Sequence, residues 1–141
     1  MVLTRKYELL KSVNWRHRTI LIVDDVIPNF KILEKALLPT QAKIEHAKIG
    51  FEGIRKCLEN QKIDVVLIEI NLSELSELEL VNQYRVFRPD LVIIGHSAFV
   101  TTVTRQKCLE AGMDDFFNKP IDSKELIVII GMALKKRDKK L

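Results

Sequence analysis

The chain has 141 residues, nearly half of them apolar, and a net charge of +4. That is enough for one domain with a full core, and no segment approaches the roughly 18 to 20 unbroken apolar residues of a membrane span. The charge is uneven: residues 1–18 carry five Lys and Arg against one acid, residues 135–141 five against one, and residues 19–134 thirteen against seventeen, so the folded body is acidic and no specific nucleic-acid surface is expected in it.

Residues 1–18 are charged and lack the apolar stretch of a signal peptide, which makes a cytoplasmic protein the default expectation. They read as an extension or linker, with Trp15 just before the first strand. The first strand, Ile20 to Val23, ends on Asp24 and Asp25. Pro28 then stands where a helix can begin, with Phe30, Leu33 and Leu37 at helical spacing. Pro39 and Thr40 end that helix. Residues 42–49 alternate loosely and predict a second, partly exposed strand. Phe51, Ile54 and Leu58 mark a second helix.

The third strand is the strongest signal in the chain. It runs from Ile63 through Val65, Val66, Leu67 and Ile68 to Glu69, Ile70 and Asn71. A β-branched run without polar breaks suits a central parallel strand buried on both faces. Residues 72–79 read as a loop, and Leu80, Tyr84 and Phe87 as a third helix stopping before Pro89. The fourth strand covers residues 91–97 and ends at His96 and Ser97. A polar fourth helix over residues 101–111 closes at Gly112, and a short fifth strand over residues 115–118 stops at Lys119 and Pro120. Asp122 with Glu125 forms a capping box for the last helix. That helix is apolar nearly all round over residues 126–134, more than one core stripe requires. Either a dimer or neighbouring domain covers the surplus, or the core stripe is unusually wide.

Five strands alternating with five helices over residues 19–134 predict an α/β fold, a five-stranded doubly wound parallel sheet. Residues 135–141 are expected to be a basic tail. Cys57 and Cys108 lie in helical patterns without metal-ligand spacing and read as buried thiols. His17, His46 and His96 are scattered, and no metal role is expected of them.

In open α/β sheets the carboxyl ends of the strands carry the ligand site. Here those ends offer Asp24, Asp25, Glu69, Ser97 and Lys119. Carboxylates crowded together repel unless a cation neutralises them, so a hard divalent ion such as Mg2+, together with Lys119, is expected. A salt-bridged cluster without an ion would satisfy the same charges.

The ordered set of motifs resembles the receiver domain of two-component response regulators, which has a flavodoxin-like fold. It consists of Val23-Asp24-Asp25, the strand closing on Glu69, Ser97-Ala98, and the segment from Ala111 through Phe116 to Lys119-Pro120. The resemblance implies phosphoryl transfer from a histidine kinase or phosphotransfer domain to an acidic side chain beside Mg2+. It implies that Asp25 is a direct metal ligand, Asp24 its companion, and the Asn71 carbonyl a further ligand. Lys119 would pair with the acceptor, Ser97 would be the switching hydroxyl, Phe116 the switching aromatic, and the Lys119-Pro120 bond cis. Asn29, four residues after Asp25, resembles receivers attached to hybrid kinases, so other domains of the same signalling protein are further expected partners, with a homodimer open.

The pattern is broken at its centre, where Glu69 stands in place of the acceptor aspartate. One extra methylene carries the carboxylate forward by ~1.5 Å, enough to damage near-attack geometry. Three readings stay open: Glu69 imitates the aspartyl phosphate, only fills the site, or is itself phosphorylated. Ser73 and Glu77 also depart from the family's usual proline and glycine. A Mg2+-dependent phosphate-handling hydrolase of α/β type is the alternative outside the family.

Overall fold

The computed structural model describes residues 13–70, 76–98 and 102–138. In chain order the elements are β1 (Thr19–Val23), α1 (Ile27–Leu37), a 3-10 turn (Leu38–Thr40), β2 (Lys43–Ala47), α2 (Gly50–Glu59), β3 (Ile63–Glu69), α3 (Ser76–Phe87), β4 (Val92–Ser97), α4 (Thr102–Ala111), β5 (Asp115–Asn118) and α5 (Ser123–Asp138). The five strands form one sheet in the order β2-β1-β3-β4-β5, every pairing parallel. The expected doubly wound fold is what the chain adopts.

Alternation along the buried strands separates two cores. Ile20, Ile22, Val65, Leu67, Val92, Ile94 and Phe117 meet α1 and α5 on one face. Leu21, Val23, Val66, Ile68, Ile93 and Phe116 meet α2, α3 and α4 on the other. Side chains at successive strand positions point to opposite faces, so an uninterrupted apolar run fills both cores at once. Each fully buried Val, Ile or Leu contributes about 1.5–3 kcal/mol.

The local signals act as their chemistry requires. Pro28 lies in the first turn of α1. Asp122 caps α5 by accepting the Glu125 amide at 2.7 Å, and Gly112 ends α4 with a φ of 118°, which a side chain would strain. Trp15 is buried against the α1/α5 core, and its amide donates to the Thr40 carbonyl at 2.8 Å, so this part of the extension belongs to the domain. Both cysteines are buried thiols, and burial pushes Cys57 up to about 11.

Several expectations need correction. The second strand stops at Ala47, and Ile49 is exposed at the entry to α2. In α2 the inward residues are Gly53, Ile54 and Cys57, while Phe51 and Leu58 face out. Helix α3 begins at Ser76, inside the expected loop, so Glu77 sits in a helical first turn. Its buried line is Val81 and Tyr84, continued by Arg88 just past its end, and Phe87 is exposed. The apolar surplus on α5 is absorbed internally: Leu126, Ile127, Val128, Ile130, Gly131, Ala133 and Leu134 are all buried, and Met132 is the large exposed residue. The wide stripe arises because α5 crosses the sheet beside α1 and covers β4 as well. The helix runs on to Asp138, which makes the first part of the basic tail helical.

Candidate functional site

The strand order reverses between β1 and β3, since β2 follows β1 outward on one side and β4 and β5 follow β3 on the other. A crevice forms outside the carboxyl ends of such a pair. Asp24 ends one of these strands and Glu69 the other. Around them lies a cleft of about 530 Å3 whose lining includes Asp24, Asp25, Lys48, Glu69 and Ser97.

Asp24 is fixed by the backbone. Its amide donates to the Ala47 carbonyl at 3.0 Å, and its Oδ1 accepts the Val26 amide at 2.9 Å, turning the chain into α1. His46 Nε2 lies 2.8 Å from the Asp24 carbonyl. The carboxylate is therefore buried at 1% exposure with one oxygen, Oδ2, turned toward the site. Lys119 reaches it from the end of β5. Its amide donates to the Ser97 carbonyl at 2.8 Å, and Nζ stands 3.2 Å from Asp24 Oδ2 and in contact with Glu69 Oε2. One ammonium thus bridges the carboxylates of two neighbouring strands. The Lys119-Pro120 bond is cis, as the resemblance implied.

The sequence reading missed His96. The β3/β4 register pairs it with Glu69, which puts both side chains on the same face of the sheet. The ring is fully buried and stacks on Phe117, with centroids 5.3 Å apart. Its Nδ1 lies 3.0 Å from Glu69 Oε2, yet neither ring nitrogen has a hydrogen-bond partner of good geometry. Burial pushes His96 below its ordinary value and outweighs the pull of Glu69. For Glu69, burial alone acts upward, but the contacts from His96 and Lys119 hold it below the usual carboxylate range. The only available signal for His96 was its parity with Glu69, and that needed the strand order.

The other expected residues fall as follows. Asp25 is exposed at the rim of the cleft, and Ser97 lines it. Phe116 points into the opposite core at 1% exposure. Gly95 makes room for it, because a Cβ there would come within 2.7 Å of the Phe116 ring and 2.6 Å of the Met113 sulfur. Asn71 and Ser73 lie outside the described residues. Asp24, Asp25 and Glu69 supply oxygens of the kind Mg2+ takes, whereas His96 adds a nitrogen that a hard ion does not seek.

Residues 20–131 match the family described as response regulator receiver domain. The chain is 29% identical over 119 residues to a cyclic di-GMP phosphodiesterase of Thermotoga maritima, covering 84% of this chain and 32% of that protein. It is 28% identical over 118 residues to hybrid signal transduction histidine kinase L of Dictyostelium discoideum, covering 79% of this chain and 7% of that one. The chain thus spans a third or less of these curated relatives. Among solved structures, it is similar to a CheY-like response regulator receiver domain protein from Methanospirillum hungatei JF-1. That match has a TM-score of 0.76 and 26% identity, covering 88% of this chain and 98% of the other. No helix among the described residues is long and apolar enough to cross a membrane. Fold and sequence match agree, and the chain belongs to the response regulator receiver domain family.

Proposed function

We propose that this receiver works as a regulatory binding module whose acceptor position is permanently filled, so that it signals through its partners without taking up a phosphoryl group. The observation that carries this is the bridge from Lys119 to Glu69 and Asp24. In the family the lysine pairs with the acceptor carboxylate or its phosphate, and here the longer Glu69 side chain reaches it while the same ammonium also holds Asp24. Phosphoryl transfer requires an in-line approach to a free carboxylate oxygen. Glu69 Oε2 is engaged, and the extra methylene moves the group forward by ~1.5 Å. A carboxylate brings one charge where a phosphoryl group brings nearly two and three acceptor oxygens, so the imitation of the phosphorylated state is partial. Ser97, which lines the cleft, and Phe116 would be the hydroxyl and aromatic that read the state of the site.

Mg2+, when bound, would supply positive charge at the rim, held by Asp25 with Asp24 and Glu69. The partner class is a histidine kinase or phosphotransfer domain, or other domains of a larger signalling protein, as the hybrid kinase relative suggests. A second copy of the chain is a further partner class, and the setting is cytoplasmic. The hydrolase alternative gains nothing from the comparisons, since the Thermotoga phosphodiesterase is matched over only 32% of its length.

The test is incubation with acetyl phosphate and Mg2+, read by intact mass, with Glu69→Asp in parallel. The expected result is an unmodified wild type and one phosphoryl group on Glu69→Asp. Phosphorylation of wild type overturns the proposal. An unmodified Glu69→Asp would instead place the defect in the scaffold and not in the acceptor.

A further inference from the structure

A buried imidazole without hydrogen bonds is costly, about 1–3 kcal/mol for each unsatisfied group, and calls for an explanation such as an ordered water or ion. His96 is fully buried, its ring held by stacking on Phe117; Nε2 has no hydrogen-bond partner, and Nδ1 has only the poorly aligned Glu69 Oε2 at 3.0 Å. Its Nδ1 faces the acidic site, where ligand atoms of Asp24, Glu69 and His96 all lie within 4.8 Å of one another. We infer that Asp24, Glu69 and His96 form a binding site for a divalent first-row transition ion, in place of the Mg2+ expected from oxygen ligands alone.

Two observations support this. The Nδ1 to Oε2 separation of 3.0 Å is the span of two ligand atoms that sit ~2.1 Å from a shared ion and subtend about 90° at it. Imidazole ligands, in turn, favour Zn, Cu, Fe and Ni, while Mg2+ prefers carboxylate, carbonyl and water.

Lys119 now holds the position of the cation. On ion binding its ammonium would leave Glu69 for the adjoining cleft between α1 and the end of β5, which it already lines with Asn29, Ile32 and Pro120. The inference goes beyond the filled-acceptor reading: the ion would replace the Lys119 ammonium on Glu69 and leave that carboxylate engaged, and ligation itself requires nothing of phosphoryl transfer.

The test is titration of untagged protein with Co2+, followed by its visible absorption, and separately with Mg2+. We expect one equivalent of Co2+ bound at least about tenfold more tightly than Mg2+. Binding should be lost in His96→Leu and kept in His17→Ala. Co2+ affinity no greater than that for Mg2+, or unchanged in His96→Leu, overturns the inference. Should His96→Leu fail to fold, pulsed electron paramagnetic resonance of Mn2+ bound to His17→Ala decides. Nitrogen coupling at the ion supports the site, and its absence overturns it. Either result leaves the acetyl phosphate experiment untouched, so the two readings fail separately.

Discussion

At the amino ends of the strands, Arg88 is 4% exposed and each of its three guanidinium nitrogens has a partner. Nη1 bonds the Cys57 carbonyl at 2.8 Å, Nη2 the Ile63 carbonyl at 2.7 Å, and Nε the Asp90 carboxylate at 3.0 Å. Beside it, Arg85 donates to the carbonyls of Gly112 and Leu91 and to Asp114, which also accepts from the Ile93 amide and Arg137. At the carboxyl ends, His96 is equally buried and has no such partners, and one ammonium serves two carboxylates. Low polarity strengthens satisfied networks and penalises unsatisfied ones. The first region therefore pins the loops that start β3, β4 and β5. The second stores unmet bonding capacity, which is what a ligand site needs.

Substitutions at the two ends should separate sharply. Arg88→Met leaves buried carbonyls at Cys57 and Ile63 unpaired and is expected to cost about 3 kcal/mol, measured by urea denaturation, without altering the cleft. A loss below about 1 kcal/mol would mean that water replaces the guanidinium. Gly95→Ala acts between the regions, by packing alone. Its Cβ would force Phe116 and Met113 aside, at an expected cost of about 2 kcal/mol. Near-ultraviolet circular dichroism should report the disturbed aromatic.

The smallest effects are expected at His96, and they have a sign. Its folded value lies below the ordinary 6.5, so the unfolded chain takes up a proton that the folded chain refuses. Stability should then fall as pH drops through 6.5, by at most about 1.4 kcal/mol per pH unit. Glu69 adds to the loss below pH 4.5, because a lowered carboxyl contributes above its unfolded value and loses that contribution as it protonates. His96→Leu should remove the slope near pH 6.5. At pH 7.5 it should leave stability unchanged or raise it, since it removes buried polar atoms that lack well-aligned partners. A large loss at pH 7.5 would show that the imidazole is satisfied in solution and would erase the contrast with Arg88.

Much of this was legible before any coordinates. The runs ending at Asp24, Glu69 and Ser97 read as buried parallel strands because their apolar residues have no polar break. Asp122, Gly112 and Pro28 act locally, through caps and backbone angles that depend on near neighbours only. The placement of Asp24, Glu69, Ser97 and Lys119 at one sheet edge followed from strand ends, since parallel strands bring their carboxyl ends together.

Helix phase was less secure. Phe51, Leu58 and Phe87 fit an apolar period, yet Gly53, Val81 and Arg88 are turned inward, because the buried face is set by how each helix crosses the sheet. The α5 surplus likewise could not be assigned until its neighbours α1 and β4 were known. His96 is the clearest case. Its own sequence neighbours say nothing of Glu69, twenty-seven positions earlier. The two meet because β4 lies beside β3 in a register that pairs them on one face. The sequence by itself determined the strands, the caps and the acidic edge, all of them products of local pattern. Only the tertiary structure decided which buried groups are satisfied, because that depends on partners contributed by other strands.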